Sequence, residues 1–174
     1  MNSSKEMPQS GPIASFSVGD LVVYPTHGVG KVTMIETQTL GADKMKLFVI
    51  SFERTRMTLR VPLLKATSSG LRQLSTRSIM QAALATLTAR GSIKRIIWSR
   101  RTLEYAAKIN SGDPVSIAEV VRDLYRPANE KEPSYSERQI YEQAFGRLTE
   151  EVAAVEKIDT VSAVAKLDAL LSAA

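Results

Sequence analysis

The sequence predicts an α+β protein of two domains, because the spacing of its apolar residues changes once along the chain. Between Phe16 and Pro62, short apolar runs alternate with turn residues, which is the pattern of β-strands. After Pro62, helix-favouring residues predominate and apolar residues recur at helical spacing. A chain of 174 residues with 44% hydrophobic content can fill two small cores. We therefore predict a small antiparallel β-barrel followed by a compact all-α domain of about five helices.

The strand pattern predicts the barrel. Residues 1–15 are polar, with too little apolar content to offset the entropy lost on ordering, and are predicted to be a flexible tail. The connections PTHGVG, LGADK and ERTR are too short for anything but antiparallel neighbours. A meander of this kind curls to protect its edges, so residues 16–70 are predicted to form an SH3-like or Tudor-like barrel. Its four strands are expected at residues 21–24, 31–40, 45–52 and 57–62.

Glycines flank the first predicted strand. Gly19 precedes it, and Gly28 and Gly30 follow it, in the pattern VGDxVxxxxxGxGxV that is common at the start of small barrels. This pattern is informative about the fold and not about a ligand. His27, the only histidine, lies in the same turn and is interpreted as a turn residue without a chemical role.

The helical pattern divides the rest of the chain, residues 71–174, into five segments. Asp113 precedes a proline at the first helical position and Asp159 precedes the last apolar run, so both are predicted N-caps. Gly91 is the expected C-cap of the first helix, and the fourth is expected to begin near Ser136. The predicted helices span residues 75–89, 98–110, 114–126, 136–157 and 160–174.

The composition excludes several functional classes. The chain has no cysteine, which excludes disulfides and thiolate chemistry, and no apolar run approaches the roughly 20 residues that span a bilayer. It has no HExxH or Walker-type motif, and its scattered serines lack an evident base. We expect a soluble, cytoplasmic binding protein rather than an enzyme, with no metal or cofactor.

Positive charge is concentrated around Trp98, the only tryptophan. The stretch from residue 90 to 108 contains one acid, Glu104, and six bases, Arg90, Lys94, Arg95, Arg100, Arg101 and Lys108. This excess equals the formal net charge of +5, and the other segments hold seventeen bases and seventeen acids. Because clustered cations neutralise phosphates and release counterions, the patch indicates a nucleic-acid partner. The alternative is a solvated helix face.

Helical spacing separates the roles of the aromatic residues in this patch. Trp98, Tyr105 and Ile109 fall on one face of the predicted helix, and Tyr105 and Ile109 are expected in the core. Trp98 lies in the first turn, beside Ser99 as a possible capping hydroxyl, where the helix dipole favours phosphate. There it can stack on an unpaired base or wedge between base steps. Partial burial against the N-terminal domain is the alternative.

Several segments together resemble the CarD/CdnL family of bacterial transcription regulators. They are VGDLVVYPTHGVGKV, IETQTL, TLRVP, WSRRTLEYAAKINSGD and IAEVVRDLY. The likeness covers nearly everything from Phe16 onward, and the combined order of these motifs is highly specific. It implies that residues 16–70 are a Tudor-like RNA-polymerase-interacting domain that docks on a lobe of the β subunit. It also implies that the helical domain contacts promoter DNA at the upstream edge of the transcription bubble.

The resemblance implies roles for residues of the helical domain. The tryptophan that matches Trp98 inserts as a minor-groove wedge, the arginine that matches Arg100 contacts the DNA backbone, and Arg101 completes the motif. Some relatives have a lysine at the position of Leu103, so this chain lacks that contact. The basic residues that could replace it are Lys94, Arg95 and Lys108.

The resemblance also implies residues that contact polymerase. Arg60 matches an arginine that contacts the β subunit, whereas Gln38 stands where some relatives have a second arginine. The contact is then expected to be weaker, or to depend on strand pairing and on apolar contacts of Leu40 and Met57.

These inferences predict a monomeric regulator that binds polymerase holoenzyme with its principal sigma factor and sequence-tolerant promoter DNA. It would stabilise the open complex and associate with the nucleoid through polymerase. Two alternatives stay open at this point, a small-barrel RNA-binding protein that uses the Trp98 patch, and an interaction module of repair-coupled transcription.

Overall fold

The structure is a computed structural model that describes residues 15–91 and 97–174. Within these ranges, five strands precede five α-helices, which confirms the predicted two-domain α+β class. The strands are β1 (Leu21–Tyr24), β2 (Gly28–Leu40), β3 (Asp43–Phe52), β4 (Met57–Pro62) and β5 (Arg72–Gln73), and a 3-10 turn at Leu63–Lys65 follows β4. The helices are α1 (Arg77–Thr88), α2 (Trp98–Asn110), α3 (Pro114–Leu124), α4 (Tyr135–Glu156) and α5 (Thr160–Ala173). The predicted tail lies outside the described residues except for its last one.

The strands form one antiparallel sheet in the order β4-β3-β2-β1-β5. One face of the sheet carries the apolar core of the domain. The sequence predicted four strands and placed the end of this domain at residue 70, but β5 adds to the edge of the sheet beyond that point. Two residues are too few to show a period, which is why this strand escapes sequence inspection. The core residues are Phe16, Val22, Val32, Phe48, Ile50, Phe52, Val61, Ala66 and Leu71.

The hairpin of β2 and β3 extends beyond its neighbours. β1 pairs with β2 only over residues 28–31, and β4 pairs with β3 only over residues 47–52. The β2–β3 pairing continues to Leu40 and Asp43, which are joined by a two-residue loop. Gly41 in this loop has a φ of +63°, which glycine adopts without a steric penalty. Residues 37–46 therefore form a two-stranded ribbon that projects from the sheet.

The helices enclose a second core, to which every helix contributes. Tyr105 and Ile109 are buried in it, as predicted. The Asp113 and Asp159 caps are also confirmed, since their carboxylates accept from the backbone N–H of Ser116 and Ser162.

Three predicted helix ends are wrong in detail. α4 begins at Tyr135, one residue before the predicted start, because Ser134 and Glu137 form a reciprocal capping box. α1 ends at an extended Ala89, so Gly91 is not its C-cap. Ser99 does not cap α2, because it lies inside the helix and Ile97 occupies the N-cap position without a side-chain bond.

α4 is shared between the two domains. Ala144, Leu148 and Val152 pack in the helical core, while Arg147 reaches carbonyl oxygens in the turn between β1 and β2. A helix with two buried sides cannot show a single apolar stripe, which explains the mixture of charged and apolar residues along it.

Candidate nucleic-acid and protein interfaces

α2 presents two stripes of side chains. Ile97, Arg100 and Leu103 share the exposed side, and Ile97 and Leu103 are 79% and 72% exposed. Trp98 and Tyr105 lie on the other side, where Tyr105 is buried and Trp98 is half-buried against the helical core. We call the set Ile97, Trp98, Arg100, Arg101, Leu103 and Lys108 the α2 surface.

Trp98 is held by its neighbours on the same helix. Its ring centroid lies 6.4 Å from that of Tyr105. The Arg101 guanidinium lies over both rings, at 5.8 Å from the Trp98 centroid and 5.4 Å from the Tyr105 centroid. Arg101 Nη2 also donates to Tyr105 Oη at 2.6 Å. Trp98 is therefore held in place at the start of α2, with part of its indole accessible, and it packs within its own domain.

The basic residues of the patch differ in whether their side chains already form an ion pair within the protein. Arg100 is exposed, and no ion pair of its side chain is present among the described residues. Lys108 Nζ lies 2.6 Å from Glu119 Oε2 on α3. Lys94 and Arg95 lie outside the described residues. Arg100 is thus the described cation of α2 that is most available to a phosphate.

The rest of the helical domain is acidic. Residues 109–174 contain twelve acids and seven bases, in contrast to the excess of bases in the patch. An acidic remainder repels a phosphate backbone, so the field of the domain favours approach along α2.

The register of the sheet places three of the four predicted polymerase-binding residues on one face. Arg60 is opposite Val49, Gln38 is opposite Met45 and Leu40 is opposite Asp43. Because directly opposed residues share a face and successive residues alternate, these side chains lie together on the side away from the core. We call this side the outer face.

An ion pair joins β4 to β2 on the outer face. Arg60 Nε donates to Glu36 Oε2 at 3.0 Å, and about half of the Arg60 side chain stays exposed. Leu40 and Gln38 are exposed on the projecting ribbon beyond this pair. The outer face therefore offers one charge-paired arginine, a ribbon and, on β4, the edge of the sheet.

Met57 does not join this group. It lies opposite Phe52 at the other end of β4 and packs partly buried against the sheet core. Leu40 and Met57 point to opposite sides of the sheet, so the apolar contact that the sequence analysis gave to both would need two separate surfaces.

The two domains meet in a joint made of charged side chains from one side of α4. Arg147 Nη1 donates to the carbonyl oxygens of Pro25 at 2.7 Å and Ile109 at 3.3 Å, and Nη2 donates to that of Thr26. Pro25 also packs on Gly112, where an added Cβ would lie 3.0 Å from Pro25 Cα. One arginine thus ties the β1–β2 turn to the end of α2.

A second part of the joint is a buried ion pair. Arg72 on β5 makes two bonds to Glu151, of 2.8 and 3.0 Å, and a third to the Gly112 carbonyl at 2.7 Å. Glu151 also accepts from the Ser75 N–H at 2.9 Å and is only 4% exposed. A carboxylate this buried is tolerated because its oxygens are paired and hydrogen-bonded.

Glu150 is the third charged residue of α4 in the joint, and its carboxyl group is buried with one oxygen unpaired among the described residues. Burial raises the pKa of its carboxyl above the ordinary value, although Arg54, the Val29 N–H and Arg147 act in the opposite direction. Its Oε2 is buried without a hydrogen-bond partner, and an added Cβ on Gly28 would lie 2.7 Å from it. Gly28 also has a φ of +83°, a backbone conformation that favours glycine.

His27 lies in the turn beside this joint, as expected. Its ring stacks on Tyr24 with centroids 5.4 Å apart and lies 5.6 Å from Phe52. Burial, with a smaller contribution from the Arg147 charge, lowers the pKa of this imidazole.

The described ranges also bear on other kinds of site. They contain no group of His, Cys, Asp and Glu residues arranged to hold a metal ion. No helix in them is both long and apolar enough to cross a membrane. A groove of about 890 Å³ lies between the sheet and α4, lined by apolar side chains and by charges of both signs, including Lys31, Arg54 and Glu150.

Comparisons with protein families define the class of this chain. Residues 16–75 match the CarD-like/TRCF RID domain, and residues 82–168 match the CarD C-terminal domain. Proteins that combine these domains are transcription factors that interact with RNA polymerase, and this chain is one of them. It belongs to the CarD/CdnL family.

One relative of similar length agrees with this assignment. The chain is 30% identical over 143 residues to YdeB of Bacillus subtilis (strain 168), an alignment that covers 82% of this chain and 94% of the relative. Among solved structures, it is similar to the solution NMR structure of the 72-residue N-terminal domain of Myxococcus xanthus CarD. That match has 28% identity and a TM-score of 0.30, and covers 40% of this chain and 93% of the other.

Proposed function

We propose that this protein stabilises the open promoter complex by binding two partners at once. The outer face and the β4 edge contact the polymerase β subunit, and the α2 surface contacts DNA at the upstream edge of the bubble. No catalytic step is needed, because a factor that makes more contacts with the open than with the closed complex shifts the equilibrium between them.

The observation that carries this proposal is the arrangement at the start of α2. Trp98 is held against Tyr105 with part of its ring accessible, while the exposed Arg100 lies on the other side of the same first turn of α2. An indole edge can enter a base step that melting has already opened, while the guanidinium binds the neighbouring phosphate. Closed duplex offers no such step without an unstacking penalty, so the contact favours the open state.

The lifetime of the open complex tests the proposal. Polymerase holoenzyme and a promoter fragment are mixed with no factor, with the wild-type protein, or with Trp98→Ala, and decay is followed after a competitor is added. The wild-type protein is expected to lengthen the lifetime. The lifetime with Trp98→Ala should be shorter than with the wild type by up to roughly 5- to 150-fold, the factor that a stacking contact of about 1–3 kcal/mol supplies. Tyr135→Ala is the matched control, because it truncates an aromatic side chain that is 78% exposed at the start of α4.

An RNA-binding role is the second candidate. It is favoured by the pairing of an accessible aromatic edge with cations on α2, which also suits unpaired bases of RNA. Competition between structured RNA and forked duplex DNA for the protein separates the two functions. Preference for RNA, together with an unchanged open-complex lifetime, would contradict the promoter role.

A further inference from the structure

Two adjacent arginines, Arg100 and Arg101, stand in different surroundings on α2. Successive residues of a helix point about 100° apart, so the two side chains leave the helix on different stripes. Arg100 is exposed, whereas Arg101 is half-buried between Trp98 and Tyr105. The sequence alone gives both the same expected role, a contact with DNA.

The guanidinium group of Arg101 contacts the protein in two ways, through its planar face and through an N–H at its edge. The guanidinium lies over the rings of Trp98 and Tyr105, and one N–H donates to the Tyr105 hydroxyl at 2.6 Å. Tyr105 is fixed because its ring is part of the helical core. Arg101 therefore links the partly accessible indole of Trp98 to a tyrosine ring that is buried in the core.

We propose that Arg101 is a positioning residue that fixes the orientation of the Trp98 indole, and that it is not a phosphate ligand. This inference rests on the proposed function of Trp98 at the edge of the bubble. A planar guanidinium can stack on an indole and hydrogen-bond at its edge at the same time, which a lysine ammonium cannot do. Arg100, one residue earlier, remains the phosphate ligand of the pair.

The only tryptophan of the chain reports directly on this role. In the free protein, the fluorescence anisotropy of Trp98 and its quenching by acrylamide measure how firmly the indole is held. Arg101→Lys keeps the charge and removes the planar stack, so it is expected to lower the anisotropy and increase the quenching. Tyr105→Phe keeps the ring and removes the hydroxyl bond to Arg101, and should produce a smaller change in the same direction.

Binding to forked duplex DNA separates positioning from phosphate contact. The slope of log K against log salt is negative, and Arg100→Ala is expected to reduce its magnitude by about 0.9, the value of one phosphate contact. Arg101→Ala is expected to leave that slope unchanged and to reduce the preference for forked over fully paired duplex. Thermal unfolding of each variant verifies that the helical domain is folded.

The outcomes distinguish the two proposals. If Arg101→Ala lowers the magnitude of the salt slope as much as Arg100→Ala does, Arg101 is a phosphate ligand and the proposal is overturned. If Arg101→Lys leaves Trp98 quenching and anisotropy at the wild-type values, the positioning role is overturned as well. If the wild-type protein does not lengthen the open-complex lifetime, the proposed function fails. The fluorescence of the free protein would still decide how Arg101 acts on Trp98.

Discussion

The outer face of the sheet and the α2 surface differ in how their key side chains are held. On the outer face, Arg60 is held by one half-exposed ion pair with Glu36, and the ribbon beyond it has no third strand. On α2, Trp98 is attached through Arg101 and Tyr105 to the helical core. The first surface can adjust to a partner, and the second is preorganised.

This difference fits the partners that we propose for the two surfaces. A protein lobe supplies its own hydrogen-bonding groups, so a strand edge and adjustable side chains suffice to bind it. A wedge in DNA must enter a narrow gap between bases, and any freedom of the indole would be lost on binding. Rigid placement on α2 therefore contributes more to binding than it would on the ribbon.

Breaking the joint should have the largest effect, because it removes what relates the two surfaces. Arg72→Ala leaves the buried Glu151 carboxylate without its partner, and we expect the free energy of unfolding to fall by about 3–5 kcal/mol. Urea denaturation measures this loss. Arg126→Ala, which breaks a more exposed pair with Glu137, is the control and should cost only about 0–1 kcal/mol. Equal losses for the two variants would contradict a structural role for the joint.

Arg60→Ala should affect the outer face alone. Loss of a hydrogen bond from a charged group is expected to weaken binding to the β subunit by about 1.5–3 kcal/mol. Titration of the variant with the isolated β-subunit lobe measures this change. Affinity for forked DNA should stay at the wild-type value, and a parallel loss of DNA binding would show that the surfaces are not separate.

Leu103→Lys should sharpen the α2 surface. It adds a cation next to Arg100 on the exposed stripe. We expect the slope of log K against log salt for DNA to become steeper by about 0.9, which corresponds to one more phosphate contact. Binding isotherms at several salt concentrations test this. Leu64→Lys, at another exposed leucine outside α2, is the control that should leave the slope unchanged.

The smallest effect is expected for Lys108→Ala. Because the charge of Lys108 is already paired with Glu119, Lys108 is not expected to bind a phosphate, and the substitution removes no phosphate contact. The salt slope should change by less than one full phosphate contact, or about 0.9. The salt slopes of Lys108→Ala and Arg100→Ala are measured under the same conditions. If Lys108→Ala changes the slope as much as Arg100→Ala does, Lys108 leaves Glu119 and binds a phosphate.

Local chemistry made much of the fold predictable. Asp113 and Asp159 mark helix starts because a cap needs only one side chain and the next few backbone groups. Tyr105 and Ile109 were recognised as core residues because helical spacing decides which side chains share a face. The projection of the ribbon was not predictable, since it depends on where β1 and β4 stop pairing.

The joint was the largest omission of the sequence analysis. Arg72 and Glu151 are 79 positions apart, and no local pattern relates two such residues. One signal was present, because Glu151 lies three residues after Leu148 and beside Val152, on the side of α4 that spacing assigns to the interior. A charge at such an interior position needs a partner of opposite sign, and Arg72 supplies it.

The contacts of Arg147 with the β1–β2 turn and with the end of α2 fix the distance between the sheet and Trp98. If the sheet is anchored on polymerase, the position of Trp98 along the DNA is set by a fixed span and not by base sequence. One base pair corresponds to about 3.4 Å along a strand and about a tenth of a helical turn. A factor of this build would select its contact by distance, and would act at every promoter whose bubble begins at the same place.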